Sequence, residues 1–160
     1  MNEHSNIHEA IIGVMGEVGY MQKQTSDKLP YTFAGEAALI KKLRPAMIDH
    51  GIYAFVKDVQ ASREQFTTKL YADGKGGTLM NITLLRGTVR FTHAPSNTHI
   101  DVAAMGEGAD VGDKSANKAA TGLLKYALRQ TFLIETGDDP DEHNSEGMER
   151  SEPTVQVEDL

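Results

Sequence analysis

The sequence predicts an α+β domain: an antiparallel β-meander of three to four strands packed against a long C-terminal amphipathic helix, with helices at the N-terminus. Three observations predict it. Strand-like runs follow one another at turn signals through the middle of the chain, which favours antiparallel neighbours over a parallel sheet. Helix-spaced apolar residues bracket that block on both sides. The chain has 160 residues, 39% of them apolar, enough to bury one modest core.

The elements follow in order. Ser5 or Asn6 can cap a helix that runs to about Gly19, with Ile7, Ile11, Val14, Met15 and Val18 on one side. A polar loop spans Gln22 to Pro30, and Tyr31-Thr32-Phe33 is a short strand candidate. Glu36 to His50 has helical spacing in Ala37, Ile40, Leu43, Met47 and Ile48. Gly51 stands where a C-cap belongs, and Pro45 predicts a kink or restart. Ile52 to Val59 reads as a strand, with Phe66 to Tyr71 its continuation or a separate strand. Asp73-Gly-Lys-Gly-Gly77 is a turn. Leu79 to His93 is a long strand whose apolar parity changes between Leu84 and Val89, so a bulge or bend is expected at Arg86-Gly87. Pro95-Ser-Asn97 closes a hairpin into a strand from His99 to Met105. The last helix starts near Asp113 and ends near Ile134.

Charge divides the chain. Residues 137–160 hold nine Asp/Glu and one basic residue, Arg150, for a formal charge of −8. With few apolar side chains and no aromatic, this segment is expected to be a disordered acidic tail. Residues 1–136 form the core domain, with 15 basic and 14 acidic side chains, a net of +1. The acidic whole-chain balance therefore conceals basic faces in the body. The chain has no cysteine, which excludes a disulfide framework, a thiolate metal site and a cysteine nucleophile. No apolar run is long enough for a spanning helix. The N-terminal residues lack the pattern of a secretory signal, so a cytoplasmic location is expected.

The last helix carries the information. On a wheel with Lys114 at zero, Lys118 falls at about 40°, Lys125 at about 20° and Arg129 at about 60°. The small apolar residues centre opposite. Between Asp113 and Glu135 there is no acidic residue, so the usual i, i+4 partners are missing. Such a stripe suits a phosphate backbone, and Tyr126, about 100° from it, either flanks it or belongs to the core. Arg86 and Arg90, four apart on the long strand, form a second candidate wall.

The run Gly106-Glu-Gly-Ala-Asp-Val-Gly-Asp-Lys-Ser-Ala-Asn-Lys-Ala-Ala-Thr121, then Lys125-Tyr-Ala-Leu128, then Phe132-Leu-Ile-Glu-Thr-Gly-Asp-Asp-Pro-Asp141 resembles the signature of the ERF family. These are the "essential recombination function" single-strand annealing proteins of phages and prophages. Lys28 to Phe33 and Leu43 to Gly51 fit the same family more loosely. The family in turn is remotely similar to the ring-forming eukaryotic annealing protein of the Rad group, whose final helix carries Gly-Leu-Lys-x-Ala-Leu-Arg. Here Gly122-Leu-Leu-Lys-Tyr-Ala-Leu-Arg129 has one extra Leu. Lys125 and Arg129 match, and Tyr126 replaces the second basic residue.

The resemblance implies ATP-independent binding of single-stranded DNA and annealing of complementary strands in phage homologous recombination. It implies a homo-oligomeric ring or helical filament in the bacterial cytoplasm, without enzymatic chemistry, cofactor or metal. The expected partners are single-stranded DNA and the annealed duplex intermediate, with a host single-strand-binding protein or a phage exonuclease beyond them. Lys114, Lys118, Lys125 and Arg129, with Tyr126, are the expected DNA contacts; Arg86 and Arg90 come second.

The alternative is a nucleotide-binding enzyme built on the Gly106–Ser115 loop. Gly106, Gly108 and Gly112 suggest a dinucleotide fingerprint, and Gly112-Asp-Lys-Ser115 a phosphate-binding loop. Asp113 interrupts the second, and no further strand follows the helix for the first. His93 and His99 with Asp101, His4 and His8 at i, i+4, and Asp138, Asp139 and Asp141 are thin metal or acid–base candidates.

Overall fold

Among the described residues six elements follow one another. They are α1 (Ile7–Glu17), α2 (Glu36–Asp49), β1 (Ile52–Thr67), β2 (Leu79–His93), β3 (Thr98–Asp110) and α3 (Ser115–Phe132). The computed structural model describes residues 2–19, 36–68 and 74–134. The strand candidate Tyr31–Phe33, the loop before it, and the acidic segment 137–160 lie outside the described residues.

The three strands form one antiparallel sheet in the order β1-β2-β3. β1 absorbs Phe66 as a continuation, and the positive φ of Gly74, Gly76 and Gly77 fits the expected turn into β2. β2 has the predicted bounds. The expected bulge at Arg86-Gly87 is absent: the irregularity lies on β1 at Lys57, between the pairs Val56↔Val89 and Asp58↔Thr88. Along β2, one alternation persists. Thr83, Leu85, Gly87, Val89, Phe91 and His93 face the helices, and Met80, Ile82, Leu84, Arg86 and Arg90 face the other side. The apparent change of parity arose because both faces of β2 carry apolar residues, and the helix face thins to glycine at its centre.

β3 is longer than expected. It reaches Asp110, so the first two glycines of the Gly106–Ser115 run are strand residues rather than a loop. Gly106 and Gly108 point at α3. A Cβ on Gly106 would overlap the Ala119 carbonyl oxygen and the Leu123 nitrogen; one on Gly108 would overlap the Ser115 carbonyl oxygen. Glycine here permits close helix–strand approach. α3 buries Ala119, Leu123, Ala127, Leu128 and Phe132. Phe132 meets Phe91 edge-to-face, with centroids 5.7 Å apart, and buried Thr83 shares a 2.9 Å hydrogen bond with Ser115.

The N-terminal helices complete the core. The Asn6 side chain accepts from the N–H groups of His8 and Glu9 at 2.9 and 3.1 Å, which caps α1. The Ile7 N–H donates to Thr98 Oγ1, joining α1 to β3. α2 runs unbroken through Pro45, with no restart. It buries Leu39, Leu43 and Ala46, whereas Ala37, Ile40 and Ile48 are exposed. The helix is apolar over a wide arc: of the predicted stripe Leu43 is buried and Met47 packs partly against the core, and Leu39 and Ala46 complete the inner face.

A histidine network joins these parts. His4 Nε2 and His50 Nδ1 lie 2.6 Å apart, and the rings stack at 4.8 Å. His50 Nε2 is 3.2 Å from Glu17 Oε2. A Cβ on Gly13 would overlap the His50 ring. His4 thus precedes α1 and binds α2's end, so it does not pair with His8 along a helix.

Candidate nucleic-acid interface

The predicted cations separate into three groups. Lys114 precedes the first helical residue of α3 and is exposed. Lys118 is not a free member of the stripe. Its Nζ lies 2.6 Å from Asp110 Oδ2 and donates to the Ala109 carbonyl at 2.8 Å. This ion pair, with the Gly112 N–H, holds the Asp110 carboxyl below the usual carboxylate range. The bond ties the start of α3 to the end of β3, so Lys118 serves the fold first.

Lys125 and Arg129 remain, one helical turn apart. Among the described residues neither meets a carboxylate. Both lie by the ring of Tyr126, with Lys125 Nζ 5.3 Å and Arg129 Cζ 5.8 Å from its centroid, inside the range of cation–π attraction. Tyr126 is 46% exposed. It is therefore a surface residue with two cations beside its ring, not a core residue.

Arg86 and Arg90 lie on the other face of the sheet. Arg86 is exposed there, opposite Gln60 and Met105. Arg90 is engaged: its Nε and Nη2 donate to the two oxygens of Asp101 at 2.7 and 2.8 Å, and Lys57 adds a third bond at 3.0 Å. The Arg90 bonds, then that of Lys57, hold the Asp101 carboxyl well below its ordinary range, and the same pair raises Arg90. One carboxylate thus links all three strands. Within one chain these arginines do not join the α3 stripe, because the sheet stands between them.

The dinucleotide fingerprint and the His93–His99–Asp101 cluster lose their geometry. Gly106 and Gly108 are covered by α3, so no phosphate can rest on their backbone. His93 is fully buried on the helix face, while His99 and Asp101 belong to the opposite face, so they do not converge. Asp138, Asp139 and Asp141 lie outside the described residues. Among the described residues no group of three or more His, Asp or Glu is placed to hold a metal ion. No described helix is long and apolar enough to cross a membrane.

Two features escaped the sequence reading. The open sheet face carries exposed Tyr53, Phe55, Phe66 and Met105; the alternation of β1 could have shown them had the Lys57 bulge been located. A shallow cavity also lies beside Tyr126, and nothing in the sequence marks it.

The fold and the site together define a class: a three-stranded meander covered on one face by a helix that presents unpaired cations around an exposed aromatic. The ERF superfamily model matches residues 7–159, and the chain belongs to the ERF superfamily. No curated protein matches it.

Proposed function

We propose that this protein binds single-stranded DNA and anneals complementary strands in phage homologous recombination, without ATP, as a homo-oligomer in the bacterial cytoplasm. The observation that carries the reading is the pairing of ERF membership with an α3 face on which Lys125 and Arg129 stand unpaired around Tyr126. Annealing breaks no covalent bond. It needs backbones held while most bases stay available, and Lys and Arg serve that without reading sequence. Lys125, Arg129 and Tyr126 are the primary contacts, with Lys114 beyond the helix start. Arg86 on the opposite face meets DNA only where neighbouring copies bring two faces together. The exposed apolar residues of the open face support assembly into a ring or filament. The acidic segment 137–160 competes with DNA for the basic face or engages a partner such as a host single-strand-binding protein or a phage exonuclease.

The test is fluorescence-polarisation binding of labelled oligo-dT across a salt series, wild type beside a Lys125→Ala/Arg129→Ala double variant. The expected result is salt-steep binding by wild type. In the variant the affinity falls, and the log–log slope is shallower by about 1.4 for two lost phosphate contacts. Absence of binding by wild type at low salt sinks the reading.

A further inference from the structure

We propose that the C-terminal end of α3 is a seat for one nucleotide of a single strand, taking its base as well as its phosphate. The inference rests on the single-strand-binding reading above and adds to it a ligand group, a cavity and two residues, Gln130 and Leu133.

Three observations converge. A cavity of about 390 Å³ is lined by Tyr126, Arg129, Gln130, Leu133 and Ile134, within the size range of small-molecule sites. Among the described residues the buried Arg129 Nε has no hydrogen-bond partner. A buried donor without an acceptor is costly in a folded protein, so an acceptor that reaches it is favoured. Leu133 closes the helix in the left-handed conformation, φ 48° and ψ 43°, a position that glycine usually fills. Its side chain is nonetheless 74% exposed. A large apolar residue is thus held in a disfavoured backbone state without being buried. Strain kept at a cavity rim is a feature of ligand clamps.

These groups match the parts of a nucleotide. The Tyr126 ring and the Leu133 side chain offer apolar surface to the flat face of a base, which any base can use. The Gln130 amide has donors and an acceptor for a base edge. The Arg129 guanidinium, its Nε–H once the side chain turns toward the strand, and Lys125 Nζ supply donors to the phosphate. Nothing here selects one base over another. The site distinguishes a strand with bases from a bare backbone, which a stripe of cations alone does not.

The experiment compares two oligonucleotides of equal length and charge, oligo-dT and one with tetrahydrofuran abasic residues at its centre. Both are measured by polarisation with the full chain, and circular dichroism confirms each variant's fold. Wild type is expected to prefer oligo-dT by between about five-fold and a hundred-fold, the range of one stacked base. Tyr126→Ala is expected to abolish that preference while leaving the salt slope unchanged. Leu133→Gly is expected to weaken oligo-dT binding while raising the melting temperature, because glycine relieves the left-handed strain. Equal binding of both oligonucleotides by wild type, with both weakened in Lys125→Ala/Arg129→Ala, overturns the seat and leaves the annealing reading standing. If wild type binds neither, the annealing reading falls. Methyl NMR of Leu133 and Ile134 on titration with thymidine monophosphate then decides the seat, and unmoved resonances overturn it too.

Discussion

The two faces of the sheet share three strands and little else. The face under the helices is closed by small residues: Ala104, Gly106 and Gly108 on β3, Gly87 on β2, and Ala119 on α3. Its large residues, Phe91 and Phe132, interlock. The other face carries larger side chains, among them Tyr53, Phe55, Phe66 and Met105, and leaves them in water. Residue size therefore does not predict burial here. Burial follows from which face receives a helix, and a helix fits only where the strands beneath it are thin. The open face is held by cross-strand charge instead, with Asp101 bonded to Arg90 and Lys57.

One residue type placed on both faces gives the widest contrast. Phe132→Ala removes the ring that meets Phe91 and should cost about 3–5 kcal/mol of stability. Phe55→Ala on the open face should change it by within about 0.5 kcal/mol. Urea unfolding of both variants checks this. A large loss at Phe55 would show that the open face is packed in solution, as assembly through it requires, and would confine the comparison to the single chain.

A glycine pair sharpens it further. Gly106→Ala pushes a methyl group into the α3 backbone and should destabilise by about 1–3 kcal/mol. Gly16→Ala in α1, where nothing lies within 4 Å of the new methyl, should stabilise by about 0.5–1 kcal/mol. Thermal melts of the two should move in opposite directions.

The smallest effect concerns acid. The folded-state value of the Asp101 carboxyl is depressed by Arg90 and Lys57. Its contribution is therefore present above the ordinary carboxyl pKa and lost as pH falls through the depressed one. Asp101→Asn should lower stability at neutral pH and flatten the acid limb of the stability–pH curve. Urea midpoints at about pH 7 and about pH 3 measure that difference. An unchanged limb would mean the triad contributes nothing to stability.

Much of this architecture was legible beforehand, and the failures have a common origin. The bounds of α1, α2 and β2 followed from caps, periodicity and turn residues, all of which act within a few residues. The Lys57 bulge did not, because locating it requires knowing which residues of β2 face β1. The partner of Lys118 is eight residues back on another element and that of Arg90 eleven residues on, across a hairpin. A helical wheel gives the direction of a side chain, not what meets it. On the site, the wheel placed Lys125 and Arg129 together, as the structure does, and left Tyr126 either beside them or in the core; the structure puts it beside them. It could not show that Arg86 and Arg90 stand on the far side of the sheet. Gly106 and Gly108 look like a phosphate loop in sequence because both uses of glycine, approach to a ligand and approach to a helix, leave the same letters.

The close seat of α3 also bears on how the gene can vary. Every missense change in a glycine codon adds side-chain atoms, and at Gly106 and Gly108 the added carbon would meet backbone, which cannot swing aside. In a saturation-mutagenesis map these two positions should be blank columns. The exposed charges proposed to contact a strand should tolerate exchange among basic residues. The positions least free to change would then be those with no side chain to contribute, and a search for function by intolerance alone would find the seating of the helix before it found the proposed DNA face.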